Sequence, residues 1–172
     1  MRGLIQRVSV ASVVVEDQTV GAIDGGILLL LGVQKGDDKA QADKLLHKLL
    51  HYRIFSDVDG KMNLNVQQVQ GGILVISQFT LAADTQKGLR PGFSNAGDPA
   101  AAEGLYNYFV EQLSLQYSKV ATGIFAADMK VSLTNDGPVT FLLETWISLI
   151  PPLLNDMYHP TYSSIKQDKV LE

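Results

Sequence analysis

The chain has no cysteine, which excludes disulfides, thiolate catalysis and every Cys-based zinc or iron–sulfur site. Histidine is scarce: His47, His51 and His159 are the only three. It lacks a run of 18 apolar residues, so no membrane-spanning helix is expected. The first seven residues, with Arg2 and Arg7, have no signal-peptide apolar stretch, and a cytoplasmic protein is expected. A basic excess is also missing. The formal net charge is −4, which argues mildly against broad, sequence-independent nucleic-acid binding. A local cluster drawn from Arg2, Arg7, Arg53, Lys61, Lys87, Arg90, Lys119 and Lys130 stays compatible with that balance.

What is present reads as one ordinary globular domain: 172 residues, 46% hydrophobic and 19% charged, enough to bury a core without staples. Val8 to Val15 is β-branched and reads as a strand, with a turn at Glu16-Asp17-Gln18 and a return from Thr19 to Ile23. Ile27–Val33 is a buried apolar run. Asp37 and Asp38 open a helix whose stripe is Ala42, Leu45, Leu46, Leu49 and Leu50. Residues 52–55 and 62–69 read as short strands about an Asp-Gly turn, and residues 72–81 as another strand. A polar loop runs from Ala82 to Asp98. Asp98 then caps a second helix with Pro99 at its first position, and residues 121–133 and 138–144 complete the strands. The fold expected is α/β, a single compact domain of mixed, largely antiparallel strands with two main helices. From Trp146 onward the composition changes, with Pro151-Pro152 and Pro160, and suggests a tail.

Several motifs carry nothing. His47 and His51 have helical spacing, but Lys48 stands where a metalloprotease helix needs its glutamate. Asp57-Val58-Asp59-Gly60-Lys61 has its glycine two positions too early for a calcium loop. No metal or organic cofactor is expected.

Two motifs about 60 residues apart hold the chemistry. Ser77-Gln78-Phe79-Thr80 and Asn135-Asp136-Gly137-Pro138-Val139-Thr140 each follow an apolar run, and strand ends are where backbone donors converge on ligands. Ser77, Thr80 and Thr140 are hydroxyl nucleophile candidates, yet no histidine is positioned as their base. Taken alone, hydrogen bonding that satisfies a strand end is the better reading of Ser77 and Thr80. For a hydrolase, N–H groups near Phe79 and Thr80 would hold an oxyanion, and the base or nucleophile would come from substrate or water. Gly137-Pro138 reads either as a tight turn linking two strands or as a rigid dipeptide presenting carbonyls to a ligand.

These two motifs resemble the signatures of the D-aminoacyl-tRNA deacylases. The likeness extends through Leu4-Ile5-Gln6-Arg7-Val8, Tyr52-Arg53-Ile54-Phe55, Gly60–Asn65 and Phe125–Met129. It covers residues 1–144 as the deacylase domain and leaves 145–172 as an extension of unknown role. The resemblance implies a homodimer with cross-subunit active sites that cleaves the ester between a D-amino acid, and glycine with it, and the 3′-terminal adenosine of tRNA. It implies a cis Gly137-Pro138 reaching into the partner's pocket, where its carbonyls exclude an L side chain and select chirality together with Val139 and Thr140. Ser77, Gln78, Phe79 and Thr80 would form the catalytic strip, and Arg7 and Met129 would hold the Gly-Pro loop from behind. The resemblance implies the acceptor end of aminoacyl-tRNA as the partner, and no membrane. The alternatives are a dimeric module that binds RNA ends or a small D-amino acid without turnover, a relative with trans Gly-Pro and relaxed chirality, and a serine esterase.

Overall fold

The computed structural model describes residues 1–86 and 88–145. Lys87 and the tail from Trp146, with His159 and the three tail prolines, lie outside the described residues. The elements in order are β1 (Arg2–Val15), β2 (Gln18–Ile23), β3 (Gly26–Gly32), α1 (Lys39–His51), β4 (Phe55–Ser56), β5 (Met62–Leu64), β6 (Gly72–Ser77), α2 (Pro99–Gln116), β7 (Val120–Thr122) and β8 (Lys130–Glu144). A one-turn 3₁₀ helix covers Phe79–Ala82.

The main sheet is mixed. β1 pairs antiparallel with β2, β3 and β8, whereas β3–β6 and β6–β7 are parallel. β8 follows β1 from Arg2 to Val14. Along the other edge β3 pairs with Arg2–Val8 and β2 with Ala11–Val15. Asp24-Gly25 breaks that returning run in two.

β3 and β6 are apolar almost throughout because both of their faces are covered. Alternate residues divide between two cores. Ile5, Ile27, Leu29, Leu31, Ile73 and Val75 pack with Leu45, Leu49, Phe109 and Leu113 of the two helices. Val8, Ala11, Val13, Leu28, Leu74 and Ile76 meet Ile23, Ala121, Met129 and Val131 on the other side. Asp38 caps α1 by accepting from the Gln41 N–H at 3.1 Å, and Asp98 caps α2 by accepting from the Ala101 N–H at 3.3 Å, each satisfying an otherwise orphaned donor.

The Asp57–Lys61 segment is the turn of the β4–β5 hairpin. The Asp57 carboxylate accepts from Asn63 Nδ2 and from the N–H groups of Lys61 and Asp59. Those hydrogen bonds, Asn63's first, hold its pKa below the ordinary value.

Four expectations need correction. β1 begins at Arg2, since polar Gln6 and Arg7 can occupy a strand whose partners are fixed on both edges. The strand expected over 72–81 stops at Ser77 and turns into the 3₁₀ helix. The short strands expected over 52–55 and 62–69 shrink to Phe55–Ser56 and Met62–Leu64. Finally, residues 121–133 are not one strand, and Gly137-Pro138 is not a turn between two. It interrupts the single strand β8 as a bulge. Gln6 pairs with Thr140 and Val8 with Asn135, so the four residues Asp136 to Val139 stand opposite Arg7 alone.

Candidate active site

A cavity of ≈720 Å³ opens at the C-terminal end of β6. Ser77, Gln78 and Phe79 form one wall, and the rest is mostly apolar, including Leu31, Ile76, Tyr106 and Met129. Val33, Ala96 and Gly97 close another side. That last segment is tied down by backbone hydrogen bonds, Lys35 N–H to Asn95 O at 2.9 Å and Gly97 N–H to Val33 O at 3.3 Å. At the mouth, the exposed rings of Phe79 and Phe93 lie 5.2 Å apart.

The 3₁₀ turn explains the chemistry available here. Such a turn leaves its first N–H groups without an acceptor inside the helix. The first N–H to find one is that of Leu81, which donates to Gln78 O at 3.2 Å. The amides of Phe79 and Thr80 therefore have no acceptor within the turn. Thr80 is exposed, and its Oγ1 accepts a short hydrogen bond from Gln78 Nε2.

Tyr106, on the same stripe of α2 as Phe109 and Leu113, is a buried element of this wall. Its hydroxyl donates to Val75 O at 3.1 Å, and burial pushes its pKa up to about 12. The folded state thus holds this proton more tightly than the unfolded chain. The resulting stability is complete below pH 10 and fades as the pH rises through about 12. Tyr106→Phe is expected to cost about 1 kcal/mol near neutrality and to flatten the alkaline decline, as thermal melts between pH 9 and 12 would register. Tyr108 and Tyr117 also have raised pKa values, from the Asp43 hydrogen bond and from burial respectively, so the variant-minus-parent difference isolates Tyr106.

The second motif lies elsewhere. The Gly137–Pro138 peptide is cis, and both residues are exposed. The Asn135 side chain spans the bulge, accepting from Val139 N–H at 2.7 Å and donating to Thr140 Oγ1 at 2.9 Å. Arg7 clamps it from β1: Nε donates to Asp136 O at 2.9 Å and Nη1 to Ile54 O at 2.7 Å. The Asp136 carboxylate adds an ion pair to Nε at 3.4 Å. Val139 is buried and roots the bulge in the core.

None of Gly137, Pro138, Val139 or Thr140 lines the cavity. Ser77, Leu31, Gly3 and Leu143 share one line across the sheet. Gly137 is thus about 14 Å away across three strand spacings and, standing opposite Arg7, four residues from Gly3, roughly 13 Å further along the sheet. Ser77, Gln78, Phe79 and Met129 are brought together, Thr80 sits beside them, and Arg7 joins the other group. His47 and His51 stack on one another at 4.3 Å on an exposed face of α1, and no cluster of metal-ligating side chains exists among the described residues.

With this geometry in place, the likenesses to known proteins fall into a single group. The model of the D-Tyr-tRNA(Tyr) deacylase family matches residues 4–144. A D-aminoacyl-tRNA deacylase of Cellvibrio japonicus is 69% identical over 144 residues, spanning 84% of this chain and 99% of that protein. That of Aeromonas hydrophila is 65% identical over 144 residues, with the same coverage. A solved structure described as the c-Myc DNA Unwinding Element Binding Protein superposes with a TM-score of 0.82 at 40% identity, covering 86% of this chain and 100% of its own. A probable eukaryotic D-amino acid tRNA deacylase, at 15% identity and a TM-score of 0.75 over 84% of this chain and 98% of its own, shares the fold. The chain belongs to the D-Tyr-tRNA(Tyr) deacylase family.

Proposed function

We propose that the protein hydrolyses the ester joining a D-amino acid to the 3′-terminal adenosine of tRNA, using the Ser77–Thr80 turn as its catalytic strip. The observation that carries this is the ≈720 Å³ cavity bounded by a turn whose Phe79 and Thr80 amides have no acceptor inside it. Two such donors suit the oxygen of an ester carbonyl as it gains charge, and they are worth most in a site that excludes water. Thr80 Oγ1 is already engaged by Gln78, which favours an orienting role over a nucleophilic one. The adenosine 2′-hydroxyl beside the ester, or a water it positions, supplies the attacking oxygen. Phe79 and Phe93 offer apolar faces at the entrance for the terminal base.

Chiral selection falls to Gly137 and Pro138, carried into the site by a second copy of the chain. The exposed bulge and its distance from the cavity within one chain support this: a single subunit holds the two motifs at opposite reaches of its sheet. In a homodimer the partner's carbonyls would fill the space that an L side chain needs, so rejection is steric and tolerant of many D side chains. Achiral glycine would pass the same filter. Met129, on the cavity wall, would back the inserted dipeptide in one subunit while Arg7 braces it in the other. In this reading residues 1–144 make the working domain and 145–172 are an extension of it.

Release of amino acid from D-Tyr-tRNA and L-Tyr-tRNA, measured side by side, tests the proposal. Hydrolysis of the D ester with sparing of the L ester is the expected result. Cleavage of both would indicate relaxed chirality, and tight binding with cleavage of neither would leave an RNA-end binding module. Comparing Gly-tRNA in the same assay tests exclusion as the basis of selection.

A further inference from the structure

The 3₁₀ turn at Phe79–Ala82 is tethered from outside its own motif. A single turn makes few hydrogen bonds of its own, here Leu81 N–H to Gln78 O at 3.2 Å and Ala83 N–H to Thr80 O at 3.1 Å. Its orientation therefore depends on what surrounds it. The entry is fixed where Gln78 N–H donates to Leu31 O at 2.8 Å. The exit is held by Arg2, whose Nη1 donates to Leu81 O at 2.8 Å while Nε donates to Glu144 Oε1, also at 2.8 Å.

The pairing of the sheet brings Arg2 within reach. Glu144, Arg2 and Gly32 are paired neighbours on β8, β1 and β3, so their side-chain positions share one face. Leu143 enters the helix-side core, which puts Arg2 and Glu144 on the face away from the helices. Gly32 leaves its place in that row empty, and the turn sits directly over it. A Cβ there would lie 2.9 Å from Leu81 Cβ and 3.0 Å from Gln78 O. With no side chain in the way, the guanidinium gives one nitrogen to each partner, as its rigid fork of donors permits. Glu144 is itself anchored, since its carbonyl accepts from Lys48 Nζ of α1 at 3.0 Å.

In a helical turn the carbonyls point toward the exit and the free N–H groups toward the start. Fixing Leu81 O therefore fixes the axis of the turn, and with it the aim of the Phe79 and Thr80 amides. A cation at the exit also suits the dipole of the turn, and a charged donor makes a stronger hydrogen bond than a neutral one. We propose that Arg2, braced by Glu144, is a positioning residue for ester hydrolysis that sets the direction of those two amides without touching the substrate. This rests on the deacylase reading of the turn. The pair is partly exposed, at 27% and 28%, so it adds little to global stability, and its loss should be felt locally.

The test combines Arg2→Met, Glu144→Gln and the double variant. Arg2→Met is expected to lower kcat on D-Tyr-tRNA about tenfold, with KM changed by less than about twofold and Tm lowered by less than about 3 °C. Hydrogen exchange at the Leu81 and Ala83 amides should quicken about tenfold. Glu144→Gln, which leaves the guanidinium without its brace, should move both readouts the same way by less. It should add little to Arg2→Met, because the two changes remove one tether. Unchanged exchange at Leu81 and Ala83 in Arg2→Met would overturn the proposal. So would faster exchange with kcat at the wild-type value, or a loss of kcat explained by a fall in Tm well beyond 3 °C in both single variants. Losses that simply add in the double variant would overturn Glu144 as the brace. Exchange is read without substrate, so the two readings fail separately: faster exchange in Arg2→Met, beside a wild-type protein that cleaves no D-Tyr-tRNA, would sustain the hold on the turn and overturn the deacylase reading.

Discussion

Gly137→Ala is expected to reduce hydrolysis of D-Tyr-tRNA about a hundredfold while leaving a folded protein. Gly137 has φ +142°, in the region that glycine tolerates and L side chains rarely adopt. A Cβ there would sit 2.5 Å from Val139 Cγ2 and 3.2 Å from Arg7 Nη2. Val139 is fixed in the core and Arg7 is held by two carbonyls, so the bulge must move instead. Holding an unsuitable backbone conformation costs about 1–3 kcal/mol, which this domain can absorb. A displacement of about 1 Å in a positioning element is enough for a hundredfold loss. Single-turnover rates on D- and L-Tyr-tRNA, taken with a melting curve, check it. A near-native D rate would show that the dipeptide is not part of the filter. In a dimer with shared sites, mixing this variant with one impaired only in the Ser77–Thr80 turn should give more activity than either alone, because each mixed dimer holds one site with both parts unaltered.

Gly26→Ala should have the largest effect on stability, leaving little folded protein. Gly26 pairs with Gly72 where β3 meets β6. A Cβ at position 26 would overlap Gly72 O and approach Gly72 N at 2.6 Å. These are backbone atoms of a central strand and cannot swing aside. Gly72 is equally confined, because its own Cβ would meet Ile23 Cβ at 2.8 Å. Opening the β3–β6 ladder separates strands that line both cores, a loss of more than about 4 kcal/mol from a total on the order of 5–15 kcal/mol. Gly104→Ala is the control. Gly104 is exposed within α2, and a methyl group added there would meet nothing within 4 Å, so alanine should add about 0.5–1 kcal/mol. Soluble yield and urea unfolding distinguish the two. A well-folded Gly26→Ala protein would mean that β3 and β6 can part at this point without losing the sheet.

Local signals locate most of the elements, and long-range ones move their ends. Asp38 and Asp98-Pro99 mark the helix starts because capping is decided within four residues. Ile27–Leu31 and Ile73–Ile76 read as buried strands because burial on both faces leaves a continuous apolar run. Arg2, Gln6 and Arg7 look unlike a strand, since what makes them one is pairing with residues up to 142 positions away. The Gly-Pro bulge reads as a turn for the same reason: only β1 alongside shows that the chain continues in one direction. The Ser77–Thr80 motif is visible by composition, but its free amides follow from the 3₁₀ turn, which the preceding apolar run does not foretell. Tyr106 lies at helical spacing with Phe109 and Leu113, but that spacing marks a buried face and not a cavity wall.

The pairing of β1 with β8 also sets the order in which the molecule can come into being. β1 leaves the ribosome ahead of its partner β8 and cannot complete its ladder until β8 has followed, the paired Arg2 and Glu144 being 142 positions apart. At synthesis rates of about 5–20 residues per second, β1 waits on the order of ten seconds with one edge open. During that time the β1–β2 hairpin and the β3–α1 stretch can form from local contacts, while Arg7 has no Gly-Pro bulge to clamp. Closure of the sheet and completion of the bulge thus become a single late event, governed by loop closure over the span between β1 and β8.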